Sequence, residues 1–245
     1  MSWYKEWFDS PLYVKLYPWR NEEEAAQLAS LISAYFSVQQ YPRLLDLGCG
    51  RGRHAIRLAQ MGYEVTGMDL SGNSLSEATK RAEQLNLKNI TFVRGDMRVP
   101  LKARFDVVAN LFTSFGYFTG DSDNVEVLSS IASMLEPGGG LVLDYMNAPL
   151  VERTYNPEER ATKDDIHYDI KRYVEEDTII KQMKLKDNYG HDHFFEERVK
   201  LYDYSWFAEN LSKAGFHIDV ALGSYHGEPF SSDESPRLIL IAVKR

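Results

Sequence analysis

The stretch that most constrains this chain is residues 43–54, Arg-Leu-Leu-Asp-Leu-Gly-Cys-Gly-Arg-Gly-Arg-His. A short apolar run turns through Gly48, Gly50 and Gly52 and passes directly into a helical pattern. That order spells strand, tight turn and helix N-terminus. Glycine allows positive φ and close approach of a ligand to the backbone. The helix that follows presents unpaired N–H groups and the positive end of its dipole. In an open α/β sheet such a turn lies at the carboxyl end of a strand, where ligands bind.

The flanking sequence supports that architecture. Apolar strand patterns at 44–47, 63–69, 90–94, 105–110 and 141–145 alternate with helical patterns at 51–61, 74–85 and 123–135. Alternation of this kind implies right-handed crossovers and a parallel sheet. Ser74 with Glu77, and Asp123 with Glu126, have the spacing of capping boxes. Pro137-Gly138-Gly139-Gly140 reads as a stop and turn. Before the sheet, Asn21 and the three glutamates 22–24 suit a helix start, with Leu28, Leu31, Ile32 and Tyr35 as its buried face. After about residue 148 the rhythm changes. Residues 149–165 read as an irregular polar linker. Three alternating runs follow, around Ile166–Ile170, Ile179–Leu185 and Phe195–Leu201, and these predict a three-stranded antiparallel β insertion with one buried face. A helix at 205–214 and strands at 216–223 and 238–243 close the chain. The expected division is an N-terminal arm and helix at 1–40, an α/β domain at 41–148 and 204–245, and the insertion at 149–203.

The ligand of the glycine turn can be narrowed by its residues. A dinucleotide fingerprint needs Gly-x-Gly-x-x-Gly, whereas here Gly52 comes one residue early and position 53 is Arg. A P-loop ending is absent. Asp46 would repel a pyrophosphate but attract an ammonium or hold a water. Asp69, at the end of the next strand, can accept both hydroxyls of a ribose, or could simply cap a helix. Asp96 after the third strand can accept from an exocyclic base amine, with Met97 against the base, or could be an ordinary loop residue.

In combination these pieces resemble the class I S-adenosylmethionine-dependent methyltransferases. Residues 45–52 match the first motif of that family, Asp69 with Leu70 the acidic second motif, and Gly95-Asp96 the third. Residues 135–139 match the turn before the fifth strand, and 205–216 the penultimate helix–strand unit. The resemblance implies an α/β fold: a seven-stranded, mostly parallel Rossmann-like sheet with its last strand antiparallel. It implies S-adenosyl-L-methionine as cofactor and S-adenosyl-L-homocysteine as product. By likeness, Asp46, Gly48, Cys49 and Gly50 lie at the cofactor, Asp69 and Leu70 at its ribose, and Asp96 and Met97 at adenine. The loop 110–118 would border the transferable methyl, bringing Leu111, Phe115 and Tyr117 to the site, although its phenylalanines could equally cover the sheet edge. It lacks the Asn/Asp-Pro-Pro-Tyr pattern of members acting on nucleic-acid bases and looks like small-molecule methyltransferases.

The aromatic arm at 1–20 either packs on the body or closes as a flap, with Tyr13, Tyr17 and Arg20 over the cofactor and Arg20 facing its carboxylate. Tyr117 and His226 are the candidate catalytic residues should the acceptor need a base. His54 could pack or face solvent, and His191-x-His193 reads as a solvated turn rather than a metal site. The formal net charge of -8 argues against a phosphate-backbone partner. The lone Cys49 cannot form an intramolecular disulfide. Neither a signal peptide nor a membrane span is visible, so a cytoplasmic enzyme or binding protein is the expectation. The expected reaction is in-line methyl transfer to a small-molecule acceptor, with the insertion as acceptor lid or as an interface for a homodimer. Alternatives are an RNA- or protein-directed methyltransferase and a non-catalytic cofactor-binding or assembly protein.

Overall fold

A computed structural model describes residues 3–16, 22–163, 166–187 and 190–245. Two short helices, α1 (Trp3–Phe8) and α2 (Pro11–Leu16), form the N-terminal arm, and α3 (Glu22–Tyr35) follows. The body alternates β1 (Arg43–Leu47), α4 (Arg53–Gln60), β2 (Glu64–Asp69), α5 (Gly72–Gln84), β3 (Ile90–Arg94), β4 (Phe105–Asn110), α6 (Asp121–Met134) and β5 (Leu135–Met146). Then come α7 (Ala148–Thr154), β6 (Glu158–Lys163), β7 (Ile166–Glu175), β8 (Thr178–Lys186) and β9 (Asp192–Lys200). The chain closes with α8 (Tyr204–Lys213), β10 (Phe216–Leu222) and β11 (Arg237–Lys244).

Seven strands form one sheet in the order β10-β11-β5-β4-β1-β2-β3. All neighbours from β5 to β3 run parallel, and β11 is antiparallel to both β5 and β10. This is the expected Rossmann-like sheet with an antiparallel last strand. The sheet is buried on both faces. Leu45, Leu47, Leu141 and Leu143 face α6 and α8 through Ile131, Phe207 and Leu211. Leu44, Val65 and Val107 face α3 and α4 through Leu28, Ile32, Ala55 and Leu58. Continuous apolar strands are what such double coverage requires.

Several boundaries differ from the sequence expectation. The Pro-Gly-Gly-Gly segment does not end before β5 but runs as its first half, where the pairing with β4 slips from Phe105↔Leu135 to Val107↔Gly140. The helix α5 starts earlier than the Ser74–Glu77 spacing suggests, because Ser71 is the cap and its hydroxyl accepts from Ser74 N at 3.0 Å. The helix α6 begins at Asp121, ahead of the expected Asp123 cap. Tyr35 is 42% exposed, and Phe36, just past α3, takes the buried place instead. Asn21, the expected cap of α3, lies outside the described residues.

The insertion is a four-stranded antiparallel sheet, β6-β7-β8-β9, not a three-stranded one. The extra strand β6 and the helix α7 occupy the segment expected to be a polar linker. An edge strand needs no alternating apolar face when its neighbour's backbone and ion pairs hold it. Here Arg172 meets Glu159 at 2.7 Å and Asp169 meets Arg160 at 3.1 Å across the β6–β7 ladder. The apolar face of this sheet, with Ile166, Ile170, Met183 and Leu185 buried, is covered by the arm through Trp7 and Tyr13. The Trp7 ring lies 4.4 Å from that of Phe195 and its Nε1 donates to Glu197 Oε1 at 2.6 Å. Hydrophobic burial thus closes this face within one chain. Among the described residues, no helix is long and apolar enough to cross a membrane.

Trp7 is the anchor of the arm, so Trp7→Ala should release it. Loss of so large a buried ring costs about 3–5 kcal/mol in a packed site. Hydrogen exchange resolved by fragment should then show lost protection over 3–16 and over β9, with the parallel sheet unaffected.

Candidate functional site

The carboxyl ends of β1, β2, β3 and β4 open into one cavity of about 470 Å³. That falls in the range of roughly 300–1,000 Å³ usual for small-ligand sites. Its floor is Gly48, Cys49 and Gly50 after β1. One wall is Asp69 and Leu70 after β2, with Gly95, Asp96 and Met97 after β3. The opposite wall is Leu111, Phe112, Ser114, Tyr117 and Phe118 after β4. The arm supplies the roof through Tyr4, Phe8, Asp9 and Tyr13.

The floor is set by the glycine turn. Gly48 has φ +80°, and a Cβ there would fall 2.8 Å from Ser114 Cβ, so the turn lies hard against the β4 loop. Gly50 has φ +54°, and a Cβ there would meet nothing within 4 Å. Backbone at Gly50 is therefore open to a ligand.

Asp69 fixes this turn from the side. Its Oδ2 accepts from Gly50 N at 2.7 Å and its Oδ1 from Ser71 N at 2.8 Å. Burial raises its pKa, while these backbone donors oppose the shift. Two bonds leave part of the carboxylate's acceptor capacity for a ligand on the cavity side. The arm docks on the same helix start: Asp9 Oδ1 accepts from Ser71 Oγ at 2.6 Å and from Asn73 N at 3.1 Å.

Asp96 reaches the wall, but its carboxylate is already gripped by Arg98. Arg98 donates from Nη2 to Oδ2 at 2.7 Å and from its backbone N to Oδ1 at 3.0 Å. The Arg98 guanidinium, which also meets Asp123 at 3.0 Å, holds Asp96 below the usual carboxylate range. Asp96 is thus an ionised wall residue whose carboxylate is shared with Arg98, with acceptor capacity remaining on Oδ2.

Asp46 lies beneath the floor and not on it. Strand alternation turns its side chain toward α4, where it is 1% exposed. There it accepts from Ala55 N–H in the first turn of α4, an N–H that the side-chain-less cap Gly52 cannot satisfy. Its Oδ2 has no hydrogen-bond partner. Burial first, and then the charge of Asp69, push its pKa up to about 7. Cys49 lines the cavity as a buried thiol whose pKa is raised, chiefly by burial.

Two further expectations change, those for Phe115 and His226. Phe115 is 1% exposed and packs in the core against Tyr145 and Phe207; Phe112 and Ser114 of the same loop face the cavity instead. The reason is the left-handed backbone at Phe112 and Thr113, which rotates the loop out of simple alternation. His226 is exposed in the turn 224–228, with its N–H donating to Ser224 Oγ, and is not among the cavity residues. Tyr117 does reach the wall, and its hydroxyl donates to Thr113 O at 2.6 Å. Tyr17 and Arg20 lie outside the described residues. His54, left open by sequence reasoning, is on the cavity wall, with Arg53 Nη2 3.3 Å from its Nε2. His191 and His193 both meet Asp187 Oδ2, at 3.3 and 3.0 Å. Among the described residues, no group of three or more His, Cys, Asp or Glu side chains could hold a metal ion.

A mostly parallel sheet with an antiparallel last strand, a glycine turn after β1 and an acidic residue at the end of β2 agrees with the methyltransferase resemblance of the sequence. Residues 41–210 match the model of a family described as "Methyltransferase domain". The chain belongs to this family and is a class I, S-adenosylmethionine-dependent methyltransferase. It is 30% identical over 217 residues to "Putative methyltransferase YqeM" of Bacillus subtilis (strain 168), covering 85% of this chain and 86% of that one. It is 32% identical over 122 residues to dTDP-3-amino-3,4,6-trideoxy-alpha-D-glucopyranose N,N-dimethyltransferase of Streptomyces venezuelae, covering 49% of this chain and 48% of that one. Its fold matches that of the CcbJ methyltransferase of Streptomyces caelestis with a TM-score of 0.82, at 20% identity and 98% coverage of both chains.

Asp46 gives this site a pH signature. Its pKa is raised by folding, so the folded state holds a proton that the unfolded state releases above about pH 4. Its contribution to stability therefore falls as pH rises toward about 7 and is level above that. Asp46→Asn removes the cost. The gain in melting temperature of Asp46→Asn over the wild type should be near zero at pH 4, grow through neutrality and plateau by pH 8. A gain independent of pH would contradict the assignment.

Proposed function

We propose that the chain passes a methyl group from S-adenosylmethionine to a small-molecule acceptor, both held in this cavity. The roof carries the reading: Tyr4, Phe8 and Tyr13 belong to the same chain and cover the space above the glycine floor. A concave site with aromatic side chains in its lining suits a metabolite better than a folded macromolecule. The formal charge of -8 points the same way, away from nucleic acid. The Streptomyces venezuelae relative is named for action on an amino sugar nucleotide, which supports an acceptor of small size.

The residues fit the cofactor on their own geometry. Gly50 leaves open backbone at the floor, and the anchored Asp69 carboxylate keeps acceptor capacity on the cavity side. In this reading Gly48, Cys49 and Gly50 approach the cofactor, Asp69 and Leu70 hold its ribose, and Met97 packs on its base. Leu111, Phe112 and Ser114 border the methyl. The bound sulfonium supplies an already activated methyl group. The chain's own contribution is positioning and exclusion of water. An amine acceptor needs only a lone pair directed at the methyl, and Tyr117 then shapes the wall instead of taking a proton.

Asp69→Ala should abolish calorimetrically measurable binding of S-adenosylhomocysteine. Unchanged affinity would overturn the placement of the cofactor. A panel of metabolite amines and hydroxyl compounds, assayed for S-adenosylhomocysteine release, should yield turnover on small amines and none on bulk RNA or protein.

A further inference from the structure

Phe112 and Thr113 both adopt left-handed backbone, with φ of 54° and 62°. Neither is glycine, and a β-branched residue is poorly suited to that region. Such strain persists only where the surroundings over-determine it. Here they do. The buried Asp144 of β5 accepts from Phe112 N through Oδ2 at 2.8 Å, and its backbone carbonyl accepts from Thr113 N at 2.9 Å. Arg237, at the start of β11, donates to Asp144 Oδ1 at 2.8 Å and to Thr113 Oγ1 at 2.9 Å. Tyr225 completes the cluster, its hydroxyl donating to Asp144 Oδ2 at 2.9 Å. The guanidinium of Arg237 also sits 5.6 Å from the centre of the Phe112 ring.

We propose that the Asp144–Arg237 pair, with Tyr225, is a positioning device for the donor site. It holds the Phe112–Thr113 turn in its strained form, so that Phe112 and Ser114 form the wall of the cavity. Asp144, Arg237, Tyr225 and Thr113 are not cavity residues themselves. The strained turn transmits their effect to the floor. Ser114 Oγ donates to Gly48 O at 3.3 Å, and Asn110 Nδ2 bridges Ser114 O and Leu47 O at 3.1 and 2.8 Å. Relaxing Phe112 and Thr113 to ordinary backbone would pull Ser114 from the glycine turn. The proposal rests on the reading that this cavity binds the cofactor.

The test uses S-adenosylhomocysteine as probe, by calorimetry on the full chain well below its melting temperature. Arg237→Lys keeps the charge but loses the fork that spans Asp144 and Thr113. The left-handed penalty then falls on binding, and affinity should drop about tenfold. Adding Thr113→Gly to Arg237→Lys should return affinity to within about threefold of wild type, since glycine takes left-handed backbone without the clamp. A merely structural pair would give a lowered melting temperature with unchanged affinity, and that result overturns the proposal. Failure of the glycine to restore affinity also overturns it. Should Arg237→Lys not fold, Thr113→Val removes only the Oγ1 acceptor and must itself weaken binding for the proposal to stand. If the wild type fails to bind the probe, the cofactor reading falls first, an outcome distinct from a wild type that binds and a variant that binds equally well.

Discussion

Much of this molecule hangs on one carboxylate. Asp69 ends β2, accepts from Gly50 N in the turn after β1, and accepts from Ser71 N at the start of α5. It therefore locks two neighbouring strand ends and a helix start into one body. Burying such a group is unfavourable unless donors compensate, and two oriented backbone N–H groups do so. The arm depends on the same point, because Asp9 docks on Ser71 and Asn73. Floor and roof of the cavity thus share a single polar junction.

A second coupling joins the insertion to the opposite wall. Lys200, at the end of β9, donates from its N–H to Gly116 O at 2.9 Å, and its own carbonyl accepts from the Tyr145 hydroxyl. Trp7 ties the same sheet to the arm. The β4 loop is consequently fastened by the glycine turn, by Asp144 with Arg237, and by the insertion. The antiparallel sheet shapes the cavity through the elements it braces, and its covered face leaves the arm in place over the floor.

Local pattern was informative where backbone chemistry is local. The turn at 48–52 needs glycines, the parallel strands need unbroken apolar runs, and β7 alternates against one buried face, whereas β8 buries Ile180 on the face opposite Met183 and Leu185. The strand β6 left no such signature, because Glu158 to Lys163 is an edge held by backbone pairing and by partners such as Asp169 and Arg172. Asp144 did carry a signal, a charge inside an apolar strand, which demands a buried partner. The identity of that partner, 93 residues away, was not readable.

The sequence by itself determined the sheet, the glycine floor and the acidic residue at the next strand end, since each follows from φ, hydrogen bonding or burial within a few residues. Only the tertiary structure decided which nearby side chains face the cavity. It turned Asp46 below the floor to cap α4, sent Phe115 into the core, paired the wall residue Asp96 with Arg98 and set His226 aside. It also laid the arm across the cavity. These outcomes depend on which distant surface each side chain meets, and that is fixed by packing between elements and not by spacing along the chain.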